Sequence, residues 1–185
     1  MKKFNLALCF LTLVSVDVIA TEQAHQCDID VSFKSEAKTS QQVYKAAPTV
    51  KLYLTQMIAM QKLKDVQIAS NVICQKLTGA KYTGSEQEWQ GFIDSAIKGL
   101  LSNKYEDVEI TFVGEQDKVY QGTLINKEYN FTATKDTNKQ KIYNLALLDK
   151  KENAVYSFSV SGNVKKIEAI KQEFKRLVAS FKPSS

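Results

Sequence analysis

The sequence predicts an α+β fold in which a twisted antiparallel sheet packs with two or three amphipathic helices, in the manner of an α/β/α sandwich. Short segments of alternating apolar and polar residues follow one another between residues 107 and 160, as in an antiparallel meander. Two other stretches repeat apolar residues every three or four positions, which is the helical period. Because no stretch is repetitive or rich in Gly and Ser, residues 21–185 are expected to form one domain.

Residues 1–20 are predicted to be a signal peptide. Lys2 and Lys3 precede an apolar run, and residues 18–20 fit the small-residue rule for cleavage. The run is too short to cross a bilayer, and no other stretch approaches the ~20 apolar residues that a span needs. The mature chain is therefore expected to be periplasmic or secreted, without a transmembrane segment.

Two cysteines, Cys27 and Cys74, remain once the leader and Cys9 are removed. In an oxidising compartment an even number of cysteines indicates a disulfide. The sequence has no Cys-x-x-Cys pair that would favour a redox or metal site instead. We predict that Cys27 and Cys74 are joined, closing a loop of roughly 47 residues, which stabilises the fold by about 4 kcal/mol on the chain-entropy argument.

The first part of the domain is predicted to contain a strand and a helix. Residues 27–33 alternate apolar and polar side chains, as a half-buried strand does. Residues 34–47 are polar and are expected to be loop or a short helix. Pro48 suits the first turn of a helix, and apolar residues recur at helical spacing over residues 49–61.

Residues 66–77 fit both a strand and a helix. We favour the strand, because it would bring Cys74 beside Cys27 on neighbouring strands with both side chains facing the core.

The clearest helix covers residues 85–102. Ser85 and Glu88 form a capping box at its start. An apolar stripe then follows the helical period and consists of Trp89, Phe92, Ile93, Ala96, Ile97, Leu100 and Leu101.

Five short strands and a final helix are predicted after residue 106. The strands centre on residues 108–112, 119–125, 129–133, 142–148 and 156–160. Asn126-Lys127 is expected to break the chain between the second and third of them. The last helix covers residues 164–181, follows Ser161-Gly162-Asn163, and carries a lysine-rich side opposite its apolar stripe.

This order of elements resembles the PsbP-like and DcrB-like extracytoplasmic domains. The resemblance rests on residues 89–101, 120–126 and 154–182, and residues 34–65 have no counterpart in it. It implies an α/β/α sandwich with a twisted antiparallel sheet, and a non-enzymatic protein that assists or binds other proteins.

Several kinds of chemistry are excluded or weakly supported. His25 is the only histidine, which excludes a multi-histidine zinc site and a nucleophilic triad built elsewhere. A glycosidase needs two carboxylates, and the candidate sets are Glu86 with Glu88, Glu106-Asp107 with Glu109, and Glu115 with Asp117. The net charge of +5 is too small to indicate nucleic-acid binding. No metal or cofactor is predicted.

The sequence therefore favours a non-catalytic periplasmic or secreted domain that binds another protein. A narrower form is an immunity protein that inhibits a periplasm-targeted toxin. The alternatives are a carboxylate-based hydrolase of envelope polymer and a carrier of a small apolar ligand. Tyrosines are enriched at interfaces, and lysines on a helix face suit an acidic partner. The predicted partner-binding residues are Tyr129, Tyr143, Ser157, Ser159, Lys171 and Lys175.

Overall fold

A computed structural model describes residues 27–64 and 66–183 as a seven-stranded antiparallel sheet with two helices. The strands are β1 (Ala37–Ala47), β2 (Val50–Leu63), β3 (Val66–Thr78), β4 (Glu106–Phe112), β5 (Ile125–Lys135), β6 (Asn138–Asp149) and β7 (Ala154–Asn163). The helices are α1 (Glu86–Ser102) and α2 (Ile167–Ala179). The predicted signal peptide lies outside the described residues.

The sheet joins two meanders. Its strand order is β1-β2-β3-β7-β6-β5-β4, so β1 and β4 are the edges. Neighbours in space are neighbours in sequence everywhere except between β3 and β7. This β3–β7 seam runs from Ile68 opposite Gly162 to Lys76 opposite Ala154.

The two helices cover opposite faces of the sheet. Val155 packs in a cluster with Trp89 of α1, while Tyr156 packs in a cluster with Ile170 and Phe174 of α2. Successive residues of a strand point to opposite faces, so α1 and α2 lie on different sides. The predicted α+β class with an antiparallel sheet is confirmed, with seven strands.

The larger core lies under α2. It gathers buried side chains from β3, β6, β7 and α2, among them Val72, Leu145, Phe158 and Leu177. A smaller core lies under α1, where Ile93 packs with residues of β5 and β6.

The predicted helix over residues 49–61 is wrong, because these residues form β2. Tyr53, Thr55 and Ala59 are buried on the α2 side, whereas Leu54 and Ile58 alternate with them on the other side. A strand that carries apolar residues on both faces shows no period of two, and its apolar positions happened to match a helical stripe.

The structure also decides the predictions for residues 34–47 and 66–77. The predicted loop or short helix of residues 34–47 is strand β1 from Ala37 onward. The strand that we favoured for residues 66–77 is confirmed as β3.

Residues 27–33 do not form a strand of the sheet. Their one bridge joins Asp30 to Lys182, beyond the end of α2. Ile29, Val31 and Phe33 nevertheless pack against the α2 core, so the alternation correctly predicted which side chains face inward. This segment lies along α2 and not on a neighbouring strand.

The Cys27–Cys74 disulfide is confirmed. The two Cα atoms are 5.7 Å apart, inside the range for a disulfide, and both cysteines are buried. Cys74 lies on β3, as predicted, but Cys27 reaches it from the segment along α2.

The predicted strand at residues 119–125 is wrong. Residues 113–124 form a loop that contains one 3₁₀ turn (Glu115–Asp117), and β5 continues through Asn126-Lys127 without the predicted break. Val119, Tyr120 and Leu124 pack from this loop onto the α2 core. The second meander therefore has four strands.

The helix predicted at 85–102 is confirmed. The Ser85 hydroxyl accepts a hydrogen bond from the Glu88 amide at 3.3 Å. The Glu88 carboxylate accepts from the amides of Thr83 and Gly84, at 2.9 and 2.6 Å, so it reaches further back than in the usual capping box.

The predicted last helix begins with a 3₁₀ turn, Val164–Lys166, and continues as α2. The Asn163 side chain accepts a hydrogen bond from the Lys165 amide at 3.0 Å, which caps this turn.

Within residues 27–64 and 66–183, neither helix has the length and apolar character needed to cross a membrane.

Candidate binding surfaces

A groove opens between α2, the 113–124 loop and strands β5 and β6. We call it the α2 groove. Its volume is about 760 Å³, and Val119, Asn130, Tyr143, Lys171 and Lys175 are among the residues that line it. It therefore brings together three of the six residues that the sequence predicted for partner binding.

Tyr143 forms an aromatic wall of the α2 groove. Its ring stacks on Phe174 of α2, with the two centroids 5.7 Å apart. Burial raises the pKa of the Tyr143 hydroxyl, and the Glu168 carboxylate raises it further. The hydroxyl is therefore neutral at physiological pH.

Two polar residues of β5 also line the α2 groove. Glu128 is buried and accepts a hydrogen bond from the Val119 amide at 2.8 Å, which fastens the loop to the sheet. Burial raises the pKa of Glu128, against the opposing effect of the loop amides and Lys118. The Oδ1 atom of Asn130 is shielded from solvent and has no hydrogen-bond partner.

The cations of the α2 groove differ in their partners. Lys118 pairs with Glu115 at 2.6 Å. Lys171 and Lys175 are exposed on α2, and neither has an ion-pair partner among the described residues.

The second surface is on the other side of the sheet. The clusters beneath α1 include residues of β4, β5, β6 and the start of β7, but none of β1, β2 or β3 in the described chain. The strand pairing therefore leaves one half of this face without a helix over it. We call this half the open face; it carries Leu52, Leu54, Ile58, Ile73, Ser157 and Ser159.

The open face mixes apolar and polar side chains, and of the lysines of its strands Lys38 and Lys62 lie on it. Leu54, Ile58 and Ile73 are only partly exposed. Two side-chain hydrogen bonds cross it, from Gln56 to Asn71 at 3.0 Å and from Ser159 to Asn144 at 2.8 Å. Strands β1, β2 and β3 contain five lysines and no Asp or Glu, namely Lys38, Lys45, Lys51, Lys62 and Lys76.

The six predicted binding residues do not form one surface. Ser157 and Ser159 lie on the open face, whereas Tyr143, Lys171 and Lys175 lie at the α2 groove on the opposite side.

Tyr129 belongs to neither surface, which corrects the expectation that it is an exposed anchor. It is 6% exposed and packs edge-on against Phe131 beneath α1, with the ring centroids 5.4 Å apart. Burial raises the pKa of Tyr129 to about 12.

Other residues of these surfaces were missed. Leu54 and Ile58 were assigned to a helix, and no local pattern in the sequence marks them as partly exposed residues of a strand. Nothing in the sequence marks Asn130 as a residue of the α2 groove, because a polar residue within a strand usually faces water.

The candidate carboxylate sets do not face one another in a cleft. Glu86 pairs with Lys127 at 2.8 Å, and Glu88 caps α1. Glu106, Asp107 and Glu109 are exposed on the edge strand β4. Asp117 and Glu128 both line the α2 groove, but Glu128 already binds the loop. In the described ranges no three His, Cys, Asp or Glu side chains gather as a metal site.

The solved structures that are similar to this chain include the following two proteins. LpqN, involved in cell envelope biogenesis of Mycobacterium tuberculosis, aligns with a TM-score of 0.45 and 10% identity over 78% of this chain and 92% of that chain. A Pseudomonas aeruginosa protein of unknown function, PA94, aligns with a TM-score of 0.38 and 4% identity over 69% of this chain and 98% of that chain. No protein-family profile and no curated protein sequence matches the chain. Membership of the PsbP-like or DcrB-like domains stays a prediction.

Proposed function

We propose that this protein is a non-catalytic periplasmic or secreted domain that binds a partner protein through the open face. The observation that carries the proposal is the open face of β1, β2, β3 and the later part of β7, over which no helix of the described residues packs, with the partly exposed apolar side chains Leu54, Ile58 and Ile73 on it. Large apolar side chains left partly exposed on an uncovered sheet face are candidates for an interaction site.

The chemistry of the open face favours an acidic partner. Apolar side chains lie beside hydrogen-bonding groups at Gln56 and Ser159, and protein interfaces combine both kinds of contact. The surrounding strands contribute lysines, two of which, Lys38 and Lys62, share this face, and no carboxylates. Electrostatic complementarity would therefore select a partner whose contact surface carries acidic residues.

Site-specific crosslinking tests the proposal. A photoreactive amino acid at Ile58 is expected to crosslink one envelope or secreted protein, while the same group at the exposed residue Lys139, at the start of β6, gives no such product. Ile58→Lys should then weaken the affinity for the isolated partner at least tenfold and leave the thermal midpoint within about 2 °C, because most surface changes alter stability by under about 0.5 kcal/mol. Equal crosslinking at both positions, or none at Ile58, would exclude the open face.

A narrower form of the proposal is that the partner is a periplasm-targeted toxin, which would make this an immunity protein. Support comes from the disulfide of a small exported domain and from the absence of a catalytic motif in the sequence. Co-expression of this protein with a periplasm-targeted toxin encoded beside it is the test: the wild type is expected to protect cells, and Ile58→Lys to remove that protection. Binding to a harmless envelope protein would reject this narrower form and keep the broader one.

A further inference from the structure

The outer edge of strand β1, which we call the β1 edge, is long and regular. Among the described residues β1 pairs only with β2, and nine consecutive pairs run without irregularity from Ala37 opposite Ala59 to Lys45 opposite Lys51. An edge strand directs a row of backbone N–H and C=O groups away from the sheet, where they can bond to a further strand. The β1 edge therefore offers a template for strand addition.

The side chains of β1 contribute little to the core. Nine of its eleven residues are exposed, and none belongs to a hydrophobic cluster of the described chain. Its one exposed large apolar residue, Val43, is 43% exposed. Burial of side chains therefore does not account for a strand of this length at this position, whereas recognition through its outer edge does.

The opposite edge of the sheet is protected against strand addition. Strand β4 has seven residues, its pairing with β5 is irregular between Glu106 and Glu109, and Asp107 has a φ of +50°. Short, irregular and charged edges resist pairing with another chain. In β1 the register shifts only at the end of the strand, between Lys45 and Ala47. Of the two edges, β1 is thus the one that can accept a strand.

The charges of β1 determine which strand fits. Lys38 and Lys45 are its only charged residues, both are exposed, and neither has an ion-pair partner among the described residues. Lys38 lies on the open face and Lys45 on the α2 side, about 24 Å apart along the strand. A second copy pairing through its own β1 would add two more lysines and no carboxylate, and like charges on paired strands destabilise the pairing.

We propose that the β1 edge binds an extended acidic segment of another protein, which adds to the sheet as a further strand. Backbone hydrogen bonds along residues 37–45 would hold the segment, and two carboxylates, one on each face, would pair with Lys38 and Lys45. In strand addition the main chain supplies affinity and the side chains supply specificity. The proposal rests on the edge and charges of β1 and stands without the partner proposed for the open face.

Titration calorimetry with three capped nine-residue peptides tests the proposal. The acidic peptide alternates threonine and valine, with glutamate at its second and ninth positions. The basic peptide has lysine at these two positions, and the proline peptide keeps both glutamates but has proline at its fourth and sixth positions. We expect the acidic peptide to bind the wild type, with an affinity that falls as salt is added, and the other two to bind at least tenfold more weakly.

Each comparison peptide isolates one part of the proposal. Lysines in the basic peptide repel those of β1, and prolines prevent a peptide from forming the ladder. Equal binding by the proline peptide would show charge attraction without strand pairing and overturn the proposal. Absence of binding by the acidic peptide at millimolar concentration would also overturn it.

Charge reversal locates the binding. Lys38→Glu with Lys45→Glu should reverse the preference, so that the basic peptide binds at least tenfold more tightly than the acidic one. The matched control, Lys150→Glu with Lys151→Glu, changes two exposed lysines in the turn between β6 and β7 and should keep the wild-type preference. The same change of preference in both variants would show a general charge effect and contradict the assignment to β1.

Proline within β1 separates the outer edge from the fold. Successive residues of an edge strand direct their N–H groups alternately toward the sheet and away from it. Of Gln41→Pro and Gln42→Pro, one therefore removes a hydrogen bond to β2 and lowers the thermal midpoint, while the other changes the outer edge. The variant with the higher midpoint should no longer bind the acidic peptide, and an unchanged affinity would contradict strand addition.

Sedimentation of the wild type tests the other occupant of the β1 edge, which is the acidic strand β4 of a second copy. We expect no self-association that the acidic peptide can displace. Salt-sensitive self-association that is displaced by this peptide would overturn the proposal and assign the edge to the second copy.

Discussion

Glu173 is a buried carboxylate shared by two cations. It is 2% exposed, and its oxygens accept two hydrogen bonds from the Arg176 guanidinium, at 2.6 and 2.9 Å. The Lys34 ammonium lies 3.1 Å away. Arg176 also donates to the Ser32 carbonyl oxygen at 2.9 Å. One side chain of α2 therefore fastens the 27–33 segment to the helix.

The pKa of Glu173 is lowered from its ordinary value of 4.5. Burial by itself would raise this pKa, but the hydrogen bonds and charges of Arg176 and Lys34 outweigh burial. Since the unfolded chain then binds the proton more readily than the folded chain, this carboxylate contributes stability above pH 4.5, and that stability is lost as the pH falls through the folded-state pKa.

Glu173→Gln should therefore lower the free energy of unfolding by about 2 kcal/mol at pH 7, as expected for hydrogen bonds to a charged group. The difference from the wild type should shrink below pH 4.5 as Glu173 becomes protonated. Urea unfolding at a series of pH values measures both effects. The exposed Glu168→Gln on the same helix is the control, and a loss at Glu173 that does not depend on pH would contradict the ion-pair explanation.

Among the elements, the turn between β1 and β2 depends on a glycine at the end of β3. Gly79 has a φ of +78°, which favours glycine. A Cβ atom there would lie 1.8 Å from the Thr49 carbonyl oxygen. The backbone of the turn thus approaches the chain more closely than any side chain allows.

Gly79→Ala is predicted to destabilise the protein by more than about 1 kcal/mol, because alanine suits neither the positive φ nor the close backbone contact. Thermal unfolding measures the loss. Gly91→Ala in α1, where an added Cβ meets nothing within 4 Å, is the matched control and should be neutral or stabilising. If both substitutions behaved alike, the contact with Thr49 would not be a constraint.

Elements with local signals could be predicted from the sequence. Helix α1 carries its own cap at Ser85 and a single apolar stripe, so nothing distant is needed to define it. Strand β2 lacks such a signal, because it carries apolar residues on both of its faces, one on the α2 side and the other on the open face. The loop at 113–124 was misread since its apolar residues pack on α2, a contact that no local pattern reveals.

The binding surfaces were predictable only in part. Lys171 and Lys175 followed from the polar side of an amphipathic helix. The face of the sheet to which a tyrosine points depends on the strand register. For this reason Tyr143 lies in the α2 groove, whereas Tyr129 lies in the core beneath α1. Asn130 became a candidate only through its missing hydrogen bond, which is a tertiary property.

At the scale of the whole molecule, the disulfide ties the N-terminal segment to the centre of the sheet. Cys27 and Cys74 are separated by 47 residues in sequence. Cys74 lies on β3, opposite Tyr156 of β7. The bond thus holds the segment that lies along α2 against the same strand that joins the two meanders.

Removing the disulfide by Cys27→Ala with Cys74→Ala should lower the free energy of unfolding by about 4 kcal/mol on the chain-entropy argument. Urea unfolding under oxidising conditions measures the difference from the wild type. Adding a reductant to the wild type should produce most of the same loss, while the double variant should not respond to it. An unchanged midpoint in the double variant would show that the bond does not stabilise the fold.

The β3–β7 seam also sets an order of assembly for the chain. Within each meander the strands pair with sequence neighbours and can form early, but the seam joins residues 78 to 94 positions apart, from Lys76 with Ala154 to Ile68 with Gly162, and must close a long loop. We therefore expect the seam to form last, and pulse-labelled hydrogen exchange should show its amides protected after those of β5 and β6.

Before the seam forms, Val72 and Phe158, which face each other across it, are exposed on two unpaired strand edges. The newly made chain is thus most prone to aggregation before the two meanders pair through the seam. Because both cysteines precede β4 in the sequence, the disulfide can close before the seam forms.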